Sequence, residues 1–119
     1  MGRSVRYDWL DGVKRGDVVV VALQGEQGKP RPALVVQSDL FSHLPAVTLL
    51  PITSTLLDAR VFRVNIEASP RNGLAVRSHI MVDKPQTPAR GKIGAVIGHA
   101  DDAVTLAVNR AMAVFLGLA

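Results

Sequence analysis

Proline stands on both sides of Arg31, in the run Gly28-Lys29-Pro30-Arg31-Pro32-Ala33-Leu34-Val35-Val36. A proline fixes its own φ and pushes the residue before it into extended geometry, so neither Lys29 nor Arg31 can be helical. Pro32 has no N–H for a sheet and suits the first residue of a strand, and the apolar residues 33–36 then read as a buried strand. The stretch therefore delivers a stiffly held guanidinium to the edge of a β-core. Its planar fork matches a phosphate group. An ion pair with Glu26 or another carboxylate is the other use open to it.

The rest of the chain punctuates itself in the same way. Arg15-Gly16-Asp17 reads as a turn, residues 18–23 as a continuous apolar strand, and residues 24–30 as the loop that leads to Arg31. Ser38 and Asp39 can cap one helical turn over 40–43, which Leu44-Pro45 ends. A strand over 46–52 runs into three hydroxyls, Thr53-Ser54-Thr55. Residues 61–66 alternate, placing Phe62, Val64 and Ile66 inward and Arg63 and Asn65 outward. A turn containing Pro70 and Asn72-Gly73 leads to a strand over 75–83, with Val76, Ser78, Ile80 and Val82 inward and Arg77, His79, Met81 and Asp83 outward.

After a loop with Pro85, Pro88 and Gly91, residues 93–98 form a short further segment. A helix over 102–116 closes the chain: Asp101 or Asp102 suits its N-cap, Gly117 lies just past its end, and Val104, Ala107, Val108, Ala111 and Phe115 form its apolar stripe. Several strands on short loops followed by one helix predict a mainly β (α+β) domain, a small β-barrel with a C-terminal helix.

A chain of 119 residues, 48% of them apolar, is long enough for one domain with one core. Residues 1–14 read as an N-terminal arm, packed or flexible, and 15–119 as the domain. The first residues lack the apolar stretch of a secretory signal, and no run is long enough to span a bilayer, so a cytoplasmic protein without membrane contact is expected. There is no cysteine, which excludes disulfides and thiolate metal sites. Ten arginines and four lysines give a net charge of +4, compatible with nucleic acid or an acidic protein as partner.

Several chemistries fail on spacing. Gly25 to Lys29 contains Gly-x-x-Gly-Lys, but a phosphate-cradling P-loop needs four residues between its glycines and a Ser or Thr where Pro30 stands. His43, His79 and His99 lack metal-ligand spacing, so no metal is expected. Aromatic residues are only 4%, too few for a base-stacking platform. What remains is Arg31, the hydroxyls at 53–55 and the polar face Arg77/His79/Asp83, a set able to handle a phosphodiester. Arginine can hold the phosphate, a hydroxyl can donate to the same oxygens, and His79 or Asp83 can move a proton. The hydroxyls can equally serve as local turn caps, and His79 as an ordinary strand residue.

Taken in order, Arg15-Gly16-Asp17-Val18, the segment 28–36, Pro51-Ile52-Thr53-Ser54, Asn72-Gly73-Leu74, Ile80-Met81-Val82-Asp83-Lys84-Pro85-Gln86-Thr87 and the closing Leu116-Gly117-Leu118 resemble the MazF/PemK family. These are the toxins of type II toxin–antitoxin pairs, and the resemblance covers nearly everything after the first fourteen residues. It implies an SH3-like barrel that forms a homodimer, is neutralised by a cognate antitoxin protein, and cuts single-stranded RNA with neither metal nor other cofactor. The implied reaction is attack by a 2′-OH on its own phosphate, leaving a 2′,3′-cyclic phosphate and a 5′-hydroxyl.

By the same resemblance the catalytic arginine is Arg31, the catalytic threonine is Thr53, the acidic position is Asp83, and Lys84, Gln86 and Thr87 touch RNA. Lys29, Ser54 and Arg77 complete the expected RNA contacts on their own chemistry. Some members have a histidine before the catalytic arginine and an arginine two places before the acidic residue. Here residues 24–29 hold no histidine and the second place is Met81, so the proton-transfer group stays open between Asp83 and His79.

Val36-Gln37-Ser38-Asp39-Leu40 and the closing helix also resemble CcdB, a toxin of the same fold that poisons DNA gyrase. CcdB-type chains end in Trp-Gly-Ile, and Leu116-Gly117-Leu118 lacks that tryptophan. Such aromatic anchors dominate contact energy, which makes the nuclease the leading expectation and gyrase binding the alternative.

Overall fold

Four consecutive valines, Val18 to Val21, would leave apolar side chains in water if their strand had only one covered face. The computed structural model, which describes residues 12–23, 29–58 and 62–119, covers both. Strand β1 (Asp17–Ala22) sends Val18 into a core shared with Leu34, Leu50, Ile52, Ile80 and the helix residue Val108. Val19 and Val21 enter a second core on the other face, with Ala33, Val35 and Leu49. Each fully buried Val, Leu or Ile contributes about 1.5–3 kcal/mol relative to exposure. Two-sided burial is why these strands read as unbroken apolar runs.

The other strands are β2 (Pro30–Val35), β3 (Leu49–Thr53), β4 (Arg63–Ile66), β5 (Ser78–Met81) and β6 (Ile93–His99). They form one antiparallel sheet in the order β4-β5-β3-β2-β1-β6. The register shifts between Val18 and Val19 and again between Val19 and Val21 where β1 meets β6, a local irregularity of the kind that bends a sheet towards a barrel. Single 3-10 turns lie at Asp39–Phe41, capped by Ser38, and at Arg90–Lys92.

Helix α1 (Asp102–Phe115) starts on Asp101, whose Oδ1 accepts the Val104 N–H at 2.9 Å. Gly117, with φ +76°, follows the C-cap Leu116. Arg15 fastens the helix to the sheet, donating from Nε to the Val36 carbonyl at 2.9 Å and from one terminal nitrogen to Asn109 Oδ1 at 2.7 Å.

The mainly β fold with one C-terminal helix agrees with the sequence expectation, and several side chains depart from it. Val76 was expected inward; it is 54% exposed because β5 begins only at Ser78. Phe62 is 37% exposed, one residue before β4 begins. Phe115 sits in the last turn of α1 at 47% exposure, and Met112, one turn earlier, packs on the core instead. Strand β2 also begins two residues earlier than Pro32. Most of the N-terminal arm, the loop 24–28 with Glu26, and residues 59–61 lie outside the described residues.

The loop before β5 is fixed by buried Asn72. Its Nδ2 donates to the Glu67 carbonyl at 2.7 Å, and its Oδ1 accepts the N–H groups of Ser69 and Leu74 at 3.1 and 3.0 Å. This presses the loop on β6, where the His99 N–H donates to the Arg71 carbonyl at 2.9 Å. A Cβ on Gly98 would stand 2.2 Å from the Asn72 carbonyl carbon, so the backbones touch only because Gly98 has no side chain. Gly98→Ala is expected to cost about 1–3 kcal/mol, read as a lower urea midpoint at unchanged m-value. A midpoint equal to wild type would mean that the loop moves away freely.

Candidate active site

The ladder between β2 and β3 pairs Val35 with Leu49, Leu34 with Leu50 and Ala33 with Pro51, and no pair is made beyond. Pro32 and Pro30 lack the N–H that further rungs to β3 need, so sequence chemistry ends the ladder there. Past the last pair, Arg31 and Thr53 share the face of Ala33 and Pro51 by alternation and line one cleft. Thr53 in turn pairs with His79, and His79 with Asn65. Directly opposed residues of an antiparallel sheet share a face, with Cβ atoms about 5 Å apart. A polar row, Arg31–Thr53–His79–Asn65, thus crosses four strands on the face that carries Ala33, Val35 and Leu49, where the second core stops.

Arg31, Thr53, Ser54, Lys84 and Gln86 line one cleft of about 340 Å³, walled by Leu23, Pro32, Pro51 and the segment 74–76. Arg31, Ser54 and Lys84 are exposed and Thr53 is half-buried. Thr53 Oγ1 accepts the Thr55 N–H at 3.1 Å. The turn cap and the functional role are therefore compatible: the cap orients the hydroxyl through its lone pair and leaves its proton available to an oxygen in the cleft. Gln86 is held by reciprocal backbone bonds with Leu49, at 2.9 and 3.0 Å. The cleft offers a guanidinium, an ammonium and hydroxyls on rigid elements, an arrangement suited to an anionic group that gains charge during reaction.

His79 lies beside this cleft rather than in it. With Arg63, Asn65, Arg77, Leu56, Leu57 and Asp58 it lines a second hollow. Its side of the sheet was expected to be open, yet His79 is only 9% exposed. Nδ1 accepts the Leu57 N–H at 3.4 Å, a long bond that assigns the ring proton of the neutral form to Nε2. Burial first, then the positive charges of Arg63 and Arg77, lower its pKa from the usual 6.5. His79 is thus a neutral N–H donor at neutral pH, and its acceptor nitrogen is occupied.

The remaining sequence candidates separate. Thr87 lines a third hollow that shares Leu23 and Gln86 with the cleft, its Oγ1 2.9 Å from that of Thr48. Asp83 lies in the turn after β5, half-buried, and its Oδ1 is sealed from solvent without a hydrogen-bond partner among the described residues. Neither Asp83 nor exposed Lys29 lines the cleft or these two hollows. Alternation puts Asn65 and Arg63 on an outward face without a role; the cross-strand register sets Asn65 opposite His79, and Arg63 lines the same hollow.

The lowered His79 pKa makes stability depend on pH. Below about pH 6.5 the unfolded chain takes up a proton at this position that the folded chain refuses, so stability falls as pH falls through that window and is fully present above it. Wild type should lose more stability between about pH 7.5 and about pH 5.5 than His79→Gln, by urea denaturation at each pH. Parallel losses would show that His79 titrates alike in both states.

Residues 14–116 match the family described as PemK-like, MazF-like toxin of type II toxin–antitoxin systems. The chain is 37% identical over 108 residues to the probable endoribonuclease MazF of Mycolicibacterium smegmatis, covering 90% of this chain and 99% of that protein. It is 32% identical over 112 residues to endoribonuclease EndoA of Bacillus subtilis, covering 89% and 96%. Among solved structures, the Mycobacterium tuberculosis toxin MazF-mt6 superposes with a TM-score of 0.74 at 26% identity, over 87% of this chain and 98% of that one. With the family matched over nearly all of the described strands and helix, the chain belongs to the PemK-like, MazF-like toxins of type II toxin–antitoxin systems.

Proposed function

We propose that the protein is an endoribonuclease toxin that cuts single-stranded RNA at selected sequences without a metal ion. The observation that carries this reading is the convergence of Arg31, Thr53, Ser54 and Lys84 on one cleft. Relatives named as endoribonucleases support the reaction class. No observation favours the gyrase-binding alternative, and Leu116 still stands where that reading needs a tryptophan.

In this reading a ribose 2′-OH attacks the adjacent phosphorus and the bond to the 5′-oxygen breaks, giving a 2′,3′-cyclic phosphate and a 5′-hydroxyl. Charge grows on the non-bridging oxygens. The Arg31 fork and the Lys84 ammonium hold those oxygens, and the Thr53 hydroxyl donates to them. These cations supply the positive charge that a divalent ion supplies in other nucleases. The attacking hydroxyl must lose a proton. Asp83 is the favoured acceptor, as the carboxylate that adjoins Lys84 in the chain. His79 is the weaker choice because Leu57 occupies its acceptor nitrogen.

The family description implies an antitoxin protein as partner, and we include a homodimer and a cytoplasmic site of action in the proposal. Phe115, Leu116 and Leu118 expose apolar surface where α1 ends, which suits a protein interface. Among the described residues no helix is long and apolar enough to cross a membrane.

Purified protein should cut mixed-sequence RNA in excess EDTA and leave cyclic-phosphate ends, detected by their conversion with a 2′,3′-cyclic phosphodiesterase. Cleavage only after a divalent ion is restored would overturn metal independence. Arg31→Ala should lose about 10²–10³-fold in rate or more, and Thr53→Val somewhat less, both with little change in unfolding midpoint. Asp83→Asn should lower the rate at saturating RNA; a rate equal to wild type would remove Asp83 as the base.

A further inference from the structure

Next to the cleft, on the same sheet face, Arg63, Arg77 and His79 line a hollow of about 440 Å³ that the cleavage chemistry does not use. His79 is over nine-tenths buried, and because its Nδ1 is taken by the Leu57 N–H, the proton of its neutral ring lies on Nε2. Arg63 is tied by one terminal nitrogen to the Thr55 carbonyl at 3.0 Å, and its buried Nε has no partner among the described residues. Arg77 is aimed by Asn65, whose Oδ1 accepts from its Nε at 2.6 Å, with Glu67 at 3.6 Å from the same nitrogen. Two guanidiniums and one imidazole N–H thus face a hollow in which Asp58 is the one lining carboxylate among the described residues.

We infer that this hollow binds a second backbone phosphate of the RNA, that of a nucleotide flanking the cleaved bond, through Arg63, Arg77 and the Nε2–H of His79. That the anion is an RNA phosphate rests on the nuclease reading; that the hollow takes a phosphate does not. His79 is a binding residue under this proposal, donating from Nε2 and taking no part in proton transfer. Leu56 and Leu57, 42% and 53% exposed, give the flanking base an apolar wall. The Thr53–His79 pair makes the two sites neighbours across one strand spacing of about 4.8 Å, so one strand of RNA can engage both.

Two experiments separate the inference from the reading beneath it. First, the ring nitrogens of His79 are followed by NMR while inorganic phosphate is added to the intact protein. An anion beside Arg63 and Arg77 offsets their charge, so the His79 pKa should rise while those of His43 and His99 hold. No response at His79, or an equal response at all three histidines, overturns the inference, whether or not the protein cuts RNA. A selective response in a protein that cuts nothing keeps the phosphate site and removes the nuclease reading.

Second, binding of a decamer RNA made uncleavable by 2′-O-methyl groups is compared with that of a dinucleotide carrying only the scissile phosphate. Arg77→Ala should weaken the decamer roughly tenfold at low salt and lower its salt slope by about one, with a smaller effect on the dinucleotide. Equal losses for both lengths, or none for either, overturn the second site while Arg31-dependent cleavage stands.

Discussion

The hydrogen-bond ladder between β2 and β3 stops at Ala33 opposite Pro51, and the site depends on that stop. Up to it, β1, β2 and β3 are sealed on both faces, with Leu34 and Leu50 in one core and Val35 and Leu49 in the other. Beyond it the same face turns polar in one step, from Ala33 to Arg31 and from Pro51 to Thr53. Proline does this work because it continues an extended backbone while withholding the donor that another rung would need. The pairing between the two strands ends there. A cleft opens between side chains that neighbouring rungs still hold in register.

Preorganisation follows. Pro30 and Pro32 restrict the backbone on both sides of Arg31, and Pro51 stands two residues before Thr53. Positioning of this kind saves ordering entropy that a reaction would otherwise meet at its barrier. The hydroxyl is aimed by a main-chain N–H two residues on. Lys84 and Gln86 arrive from the segment after β5, and Gln86 is pinned by its paired bonds with Leu49. The parts of the cleft thus come from distant stretches of sequence, each tied to the sheet by backbone bonds.

Most of the fold was legible because its signals are local. Runs of β-branched residues, an Asp N-cap and a Gly past the helix end each fix one element without reference to the rest. The errors fall where alternation is carried past a strand end: Val76 before β5 and Phe62 before β4 keep the apolar character of an inward residue but lie outside the paired segment. At the site, Arg31 and Thr53 stood out by their surroundings in sequence. Their proximity did not, since it needs the β2–β3 register. The burial of His79 was illegible for a related reason: a Leu57 N–H from a loop 22 positions earlier covers its ring. Asp83 shows the converse, a residue prominent in sequence that the turn after β5 keeps off the cleft wall.

The two-sided core also separates what holds the molecule together from what the cleft does. Arg31, Ser54 and Lys84 are exposed and add little to the apolar interior. The close approaches are elsewhere, at Asn72 and Gly98 and along the Arg15 tie to α1. His79 is the exception, packed like a core residue yet facing the two arginines of a site. A histidine kept neutral between two arginines by burial and by a main-chain donor is costly to protonate. An anion in the hollow would ease that cost, while a neutral ligand would leave it unchanged. The electrostatics of this corner therefore favour a negatively charged occupant before any particular nucleic acid is considered.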